Sequence, residues 1–546
     1  MAKNNKKLEV EKLKAEIERL KKELKKRKKY GLVWEEKPEE VVEMCKEKLP
    51  VLKEVKNKEI ITDKDKPVNL LIEGDNYHAL SVLNYTHAKK VDVIYIDPPY
   101  NTGKKKEWKF NDHWVDENDA YKHSKWISFM EKRLKLAKNL LKDTGVIFIS
   151  IDNNEIAQLK LLMDHPDLFG ENNFEYFIWK KKGGAGNTER IIGTLTEFIL
   201  CYFKKKKPGI FNYRKLDRIY KFRDEIGPYN LEGIEKTNLG AYERKTMRFP
   251  IIDPKTKKKF YPAKNMRWTI GAINAKKAIR EGRLFFDHKK KKVYIIKRPE
   301  QYENSENVFY NLLMNVGSLA TAKDELYNFF GNREIFDTPK PSSLIRHLLE
   351  VSSRKNSIIL DFFAGSGTTA QAVLELNKED GGNRQFILCT NNENKICTNV
   401  CYPRIKKVIE GYKNLKGEDV KGLGGNLKYF KTAFVDYDEP TDKNKIKLTA
   451  EASEMLCVKE GTFEEVLGQK DFKIFKNSNH YTGIIFDQEA IPTFKKAIKD
   501  IKGKFSVYVF SLGDETFDDE FKDIKQKVKL SPIPEAILRV YRRIFK

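Results

Sequence analysis

With 546 residues the chain has room for a large α/β domain and two or three smaller modules. Lysine and arginine number 105 against 79 acidic residues, a formal charge of +26 that favours a polyanion such as nucleic acid. Six cysteines without a pairing pattern exclude a disulfide framework and point to a reducing cytoplasm, while the lack of a secretory signal or an apolar run of about 18 residues excludes a membrane-inserted chain.

Residues 6–29 are dense in Lys, Glu and Leu, and Val10, Leu13, Ile17, Leu20 and Leu24 form a short heptad seam. This predicts a helical arm that needs a partner, read here as a homodimer contact; a solvated basic helix or one lying along DNA are the other readings. The segment from Lys29 to Glu36 and an amphipathic helix then lead into Asn69–Asn76, a strand and turn. Asp75 stands at that strand's carboxyl end, where open α/β sheets bind ligands, or it caps the helix that follows.

Val91–Ile96 is an apolar, β-branched run predicted as a buried strand, and it ends in Asp97-Pro98-Pro99-Tyr100. The prolines make a stiff exit from the sheet that presents a carboxylate, free carbonyls and an aromatic face. Those groups suit a planar amino group on a flat ring, although Asp-Pro also starts ordinary turns. The stretch 104–119, with Trp108, Phe110 and Trp114, reads as a flexible lid or as a surface loop with aromatic anchors. A helix over 121–141, a Gly145 stop and the strand 146–151 complete a right-handed crossover, and Asp152 to Glu155 are expected to cap the next helix.

Between about 180 and 333 the α/β rhythm is lost. Lys180-Lys181-Lys182-Gly183, running on to Asn187, is a basic glycine-rich loop suited to phosphates, and basic clusters recur at 204–207, 244–245, 255–259 and 289–292. Each alone reads as a solvated face; their concentration here is what points to DNA contact and target recognition.

Lys340-Pro341 precedes a helix over 344–351. The strand 357–361 then runs into Phe363-Ala364-Gly365-Ser366-Gly367-Thr368, a glycine corner that lets backbone approach a ligand. The corner lacks the third glycine of a dinucleotide fingerprint and the Gly-Lys-Ser/Thr of a phosphate loop, so neither a nicotinamide cofactor nor ATP is indicated. Glu393 follows the strand 385–389, where a carboxylate can accept both hydroxyls of a ribose. Cys389, Cys397 and Cys401 lack the further ligands of a zinc site, so no metal is expected. Beyond 437 a small α/β module follows, suited to docking a partner or to self-association. Its Glu520-Phe521-Lys522 lacks the upstream Asp of a nuclease.

Asp97 to Tyr100 and Asp361 to Thr368 together resemble the catalytic and S-adenosylmethionine motifs of the amino-group DNA methyltransferases. The catalytic motif comes first and the cofactor motif about 260 residues later, as in the permuted β class. The entry segment is similar to that of the modification subunits of type III restriction-modification systems. The resemblance implies a Rossmann-like α/β sheet with a helical arm (1–30), a catalytic half (31–180), a target-recognition insert (181–333), a cofactor half (334–437) and a C-terminal α/β module (438–546).

It further implies that S-adenosyl-L-methionine is held by Asp75, Lys340, Pro341, Asp361, Phe363, Gly365, Ser366, Gly367, Thr368 and Glu393. The run Thr390-Asn391-Asn392 departs from the family's usual ending and leaves Asn391 as an alternative to Glu393. Catalysis falls to Asp97, Pro98, Pro99 and Tyr100 acting on a base flipped out of double-stranded DNA, and DNA contact to Lys180, Lys181, Lys182, Gly183 and Asn187. Asp rather than Ser at position 97 implies adenine-N6 rather than cytosine-N4. A homodimer and a separate restriction subunit with ATPase and nuclease activity are the implied partners. The alternatives are a stand-alone type II adenine or cytosine-N4 enzyme, a non-catalytic DNA-specificity subunit, a single-chain restriction enzyme, or an RNA methyltransferase.

Overall fold

The computed structural model describes residues 34–545 except 105–106, 112, 185–191, 213–219, 241–242, 302–308, 438–440, 479 and 514. The expected helical arm over 1–30, with its seam from Val10 to Leu24, lies outside the described residues, as does Asn187.

Two compact units account for the chain: 1–212 with 310–546, and 213–309. The first is built on one large sheet. In chain order its elements are β1 (Lys48–Glu54), β2 (Val68–Glu73), α1 (Asn76–Thr86), β3 (Val91–Ile96), α2 (Lys122–Leu140), β4 (Leu141–Ile151), β5 (Phe174–Lys180) and β6 (Thr196–Phe203). After residue 310 come α3 (Leu319–Phe330), α4 (Ser342–Ser352), β7 (Ile358–Asp361), α5 (Thr368–Asp380), β8 (Gln385–Thr390), α6 (Tyr402–Glu410) and β9 (Asn426–Asp436).

The strand order is β1-β9-β2-β8-β7-β3-β4-β6-β5. From β9 to β4 every pairing is parallel, and β6 runs antiparallel between β4 and β5. Side chains alternate between two cores: Val91, Ile94 and Ile96 face α1 and α2, while Val93 and Tyr95 face α4, α5 and α6. A parallel sheet covered on both faces explains why these strands read as continuous apolar runs. From β7 the chain continues through α5 to β8 on one side; from β3 it continues through α2 to β4 on the other. Beyond the carboxyl ends of β7 and β3 is therefore the crevice where open α/β sheets bind ligands. The expected Rossmann-like sheet is present with its halves permuted, β3 preceding β7 in the chain.

The expected insert boundaries, 181–333, need correcting. Thr196–Phe203 is a strand of the main sheet and Leu319–Phe330 packs with it, so the separate unit is 213–309. The α/β rhythm fails near 180 because β6 pairs antiparallel with both β4 and β5. The smaller unit carries a four-stranded sheet, a helix over Ala272–Arg280 and its own core around Trp268, Phe260 and Val293. Its lysines at 255, 257–259 and 289–292 are exposed.

At the C-terminal end, α7 (Asp442–Glu451) and α8 (Ser453–Glu460) lead to a five-stranded sheet: β10 (Glu464–Gly468), β11 (Phe472–Lys476), β12 (His480–Ile485), β13 (Lys504–Phe510) and β14 (Val528–Ile533). The helix α9 (Ile491–Ile498) crosses between β12 and β13, and α10 (Glu535–Ile544) returns to the main domain, where the Tyr541 hydroxyl donates to the Pro50 carbonyl at 2.5 Å. Ile484, Tyr508 and Ile537 share a core with α1, so this module is fused to the catalytic half. Phe521, from the triplet dismissed as a nuclease remnant, is a core anchor of the module.

Candidate active site

β3 ends at Ile96, and the next residues are held from three sides. Trp126 Nε1 donates to the Pro99 carbonyl at 2.7 Å, and the amides of Tyr100 and Thr102 donate to Glu107 at 3.1 and 2.7 Å. Asn101 adopts a left-handed conformation (φ +57°) and is buried. Its side chain donates to Glu155 at 2.5 Å and accepts from Trp108 Nε1 at 3.1 Å. Glu155, expected to cap a helix, instead turns inward to Asn101 and His123. Of the two readings of 104–119, the aromatic anchors are seen: Trp108 and Phe110 are buried, and Trp108 packs on Phe129.

On this rigid loop Asp97 is doubly engaged. Lys340 Nζ lies 2.8 and 2.7 Å from its two oxygens, and the Tyr100 hydroxyl donates to Oδ1 at 2.8 Å. Glu197 of β6 completes the group. Its Oε2 is 3.2 Å from the Tyr100 hydroxyl and 3.7 Å from Lys340, and its Oε1 is 2.9 Å from Lys181. Burial pushes the Asp97 carboxyl above its ordinary range, with Lys340 offsetting part of the rise. Burial works against the Lys340 ammonium, yet Asp97 and Glu197 together hold its pKa above the usual lysine value. For Glu197 too, burial is outweighed: Lys340 and Lys181 keep its pKa low.

Beside it, the corner after β7 is shaped by Asp361. Its oxygens accept from the Phe363 amide at 3.0 Å and the Thr369 hydroxyl at 2.5 Å, so this carboxylate builds the turn. Gly365 (φ +49°) and Gly367 (φ +79°) occupy left-handed backbone, and a Cβ on Gly365 would lie 3.0 Å from the Phe336 ring. The hydroxyls of Ser366 and Thr368 face inward and accept from Arg404 at 3.1 and 2.8 Å. Phe363, half-buried, is left at the rim and packs on Phe129.

The next strand ends bring further groups. Asp75 caps α1, accepting from the Tyr77 amide at 2.7 Å, and keeps 32% of its side chain exposed. Arg133 lies 3.5 Å from Asp75 and is pinned by Glu39 at 2.7 Å and over the Phe129 ring at 3.7 Å. Asn76 donates to the Phe362 carbonyl at 3.1 Å, tying the ends of β2 and β7 together. Glu393 pairs with Lys109 at 2.8 Å. Pro341 starts α4, where the Ser342 amide donates to Glu325.

The structure thus brings Asp97, Tyr100 and Lys340 together and sets the 361–368 corner beside them across the β7–β3 pairing. In the basic loop, Lys182 and Gly183 are exposed and Lys180 is half-buried, but Lys181 turns inward to Glu197 and is not directed at solvent. Glu197, Arg133, Glu39, Arg404 and Glu325 escaped the sequence reading. Only Glu197 carried a signal, as the one charge of its strand; the other four lie among further charges of their helices and loop.

The six cysteines are buried and free, and no group of three or more His, Cys, Asp or Glu side chains among the described residues is placed to hold a metal. Among the described residues no helix is long and apolar enough to cross a membrane.

Residues 91–400 match the model of the N6/N4 methyltransferase family, described as DNA methylase. The type III restriction-modification enzyme StyLTI Mod subunit of Salmonella typhimurium is 35% identical over 363 residues, covering 59% of this chain and 52% of that protein. The type II methyltransferase M.KpnI of Klebsiella pneumoniae is 34% identical over 352 residues, covering 60% of this chain and 82% of that protein. The EcoPI Mod subunit of phage P1 is 32% identical over 382 residues, covering 60% and 58%. The chain therefore spans little more than half the length of these two type III relatives.

Proposed function

The chain belongs to the DNA methylase family of N6/N4 methyltransferases, and on that premise we propose that it methylates adenine N6 at a specific DNA sequence, as the modification subunit of a type III-like restriction-modification system. The observation that carries this is the Asp97 carboxylate on a braced loop at the β7–β3 crevice, beside the glycine corner. The likeness to the StyLTI and EcoPI Mod subunits supports the type III assignment.

An amino nitrogen conjugated into a purine is a poor nucleophile because its lone pair is delocalised. Asp97 and the Pro98 carbonyl accept hydrogen bonds from its two N–H groups and draw it toward tetrahedral geometry, and Tyr100, on the Pro98-Pro99 exit, stacks on the flipped ring. The loop contributes position and charge fixed in advance. S-adenosyl-L-methionine supplies an electrophilic sulfonium methyl when bound. The residues present fit it: a partly exposed Asp75 carboxylate and the half-buried Phe363 ring stand at neighbouring strand ends, beside a corner whose backbone Gly365 and Gly367 turn through left-handed conformations. Gly365, Gly367 and the backbone of Ser366 and Thr368 would follow its methionine part, with Lys340-Pro341 behind, and Glu393 would take the ribose.

Lys180, Lys182, Gly183 and Asn187, with the exposed lysines of 213–309, are assigned to DNA phosphates. A cytoplasmic homodimer with a separate restriction subunit completes this reading. A stand-alone type II enzyme is the second reading, favoured by the match to 82% of M.KpnI. The test is base-by-base methylation analysis of DNA from cells expressing the chain. N6-methyladenine on one strand of an asymmetric motif is expected; methylation of both strands of a palindrome would favour type II, and N4-methylcytosine would overturn the choice of base.

A further inference from the structure

Asp97 faces two claimants. Both of its oxygens are held by Lys340, and one also accepts from Tyr100. Those contacts use the carboxylate's best acceptor directions. For a target amino group to take those directions on Asp97, the ammonium must give way. Lys340 is only 5% exposed, so release without a new carboxylate would strand a buried charge. The next acceptor is Glu197, itself 5% exposed, with Oε2 at 3.7 Å from Lys340 Nζ. Lys181 holds the other oxygen of Glu197 from behind, which keeps Oε2 aimed at Lys340 and Tyr100. The group carries two carboxylates and two ammoniums. A neutral amino group can join it without any charge leaving the pocket, provided Lys340 moves from one carboxylate to the other.

We propose that Glu197 is a positioning residue that receives the Lys340 ammonium when the target amino group takes Asp97. The inference rests on the DNA methyltransferase reading and deepens it: the catalytic carboxylate is masked at rest and unmasked by exchange of its counter-ion.

The test uses the full chain and two readouts. The first is stability in urea without DNA or cofactor for Asp97→Asn, Glu197→Gln and the double variant. If Lys340 can re-pair with Glu197, Asp97→Asn is tolerated while Glu197 is present, and the double variant loses more than the sum of the singles. In a Lys340→Met background that excess disappears, whereas simple repulsion between the two carboxylates would survive there. The second readout is methyl transfer from labelled S-adenosylmethionine to unmethylated plasmid DNA. Glu197→Gln should lower kcat about 10- to 100-fold with KM for the cofactor unchanged, and Glu197→Asp should restore part of the rate.

The acid limb of the Glu197→Gln profile should also move to lower pH. The groups facing Asp97 are Lys340, Tyr100, Tyr95, Asp361 and Glu197, and Glu197 is the one whose charge is removed. Loss of the Glu197 charge shifts that limb whatever its role, so the shift reports its proximity to Asp97, and the stability cycle with rescue by Glu197→Asp decides the role. Additive stabilities without rescue would overturn the role of Glu197 and leave the methyltransferase reading standing. Absence of methyl transfer from the wild-type chain would overturn that reading and with it the catalytic purpose, whatever the stabilities show.

Discussion

The guanidinium of Arg404 lies beneath the glycine corner, 2.8 Å from Thr368 Oγ1, and joins Ser366, Gln371 and Glu325 in one buried network. Arg404 is wholly buried and its pKa is drawn down by that burial, so its charge is maintained by Glu325. Replacing it with Met leaves the Glu325 carboxylate without its counter-ion, and removing one partner of a buried pair costs about 3–5 kcal/mol. Arg404→Met should therefore lower the urea midpoint sharply and weaken cofactor binding. Arg404→Met combined with Glu325→Gln should recover part of the stability, because the stranded charge is gone.

Gly367→Ala tests the corner's backbone. Its φ of +79° costs an L-residue roughly 1–2 kcal/mol, and a Cβ would stand 3.1 Å from Cys401 Sγ. Gly381, at φ +66°, meets nothing within 4 Å, so Gly381→Ala carries the conformational cost alone. The expected order of stability is wild type, then Gly381→Ala, then Gly367→Ala. Only the last should also raise the dissociation constant for S-adenosylmethionine in calorimetry.

These two corners mark how far the residues could be read without the fold. A strand ending in Asp-Pro-Pro-Tyr and a strand turning through Gly-Ser-Gly announce themselves locally, since proline and glycine dictate backbone whatever surrounds them. Glu197 does not, because it is the one charged residue of Thr196–Phe203 and its partners come from the residue after β5, the catalytic loop and the approach to α4. Lys181 was misread for the same reason: a lysine in a basic run looks solvent-facing until the strand next to it presents a carboxylate. Ser366 and Thr368 belong to the right loop, yet their hydroxyls face Arg404, whose position on α6 no local pattern reveals.

Asp361 couples the corner to pH. Burial pushes its carboxyl up to about 7, above the Thr369 and Phe363 hydrogen bonds' power to lower it. The folded chain therefore keeps a proton there that the unfolded chain releases near pH 4. Between about pH 4 and 7 this makes the folded state progressively less stable, by at most about 1.4 kcal/mol per pH unit, with no further change above. Asp361→Asn removes the slope. Stability of wild type minus that of Asp361→Asn, from urea titrations across this range, should fall as pH rises and then level off; a flat difference would mean Asp361 is ionised throughout.

Asp97→Ala separates chemistry from binding. The loop's shape does not depend on the carboxylate, because Trp126, Glu107 and Asn101 hold the backbone on either side of Tyr100. Lys340 retains Glu197 at 3.7 Å as a partner, so the fold should survive. Methyl transfer should fall at least about 10²-fold, the usual cost of deleting one preorganised polar group at a reacting atom, with cofactor affinity near normal. In the wild type, activity should drop as pH falls and Asp97 takes up a proton. Burial raises that pKa, so the acid limb should lie above the ordinary carboxylate range. Joint loss of cofactor binding and methyl transfer in Asp97→Ala would signal a collapsed loop and remove the support for Asp97 as the acceptor of the amino proton.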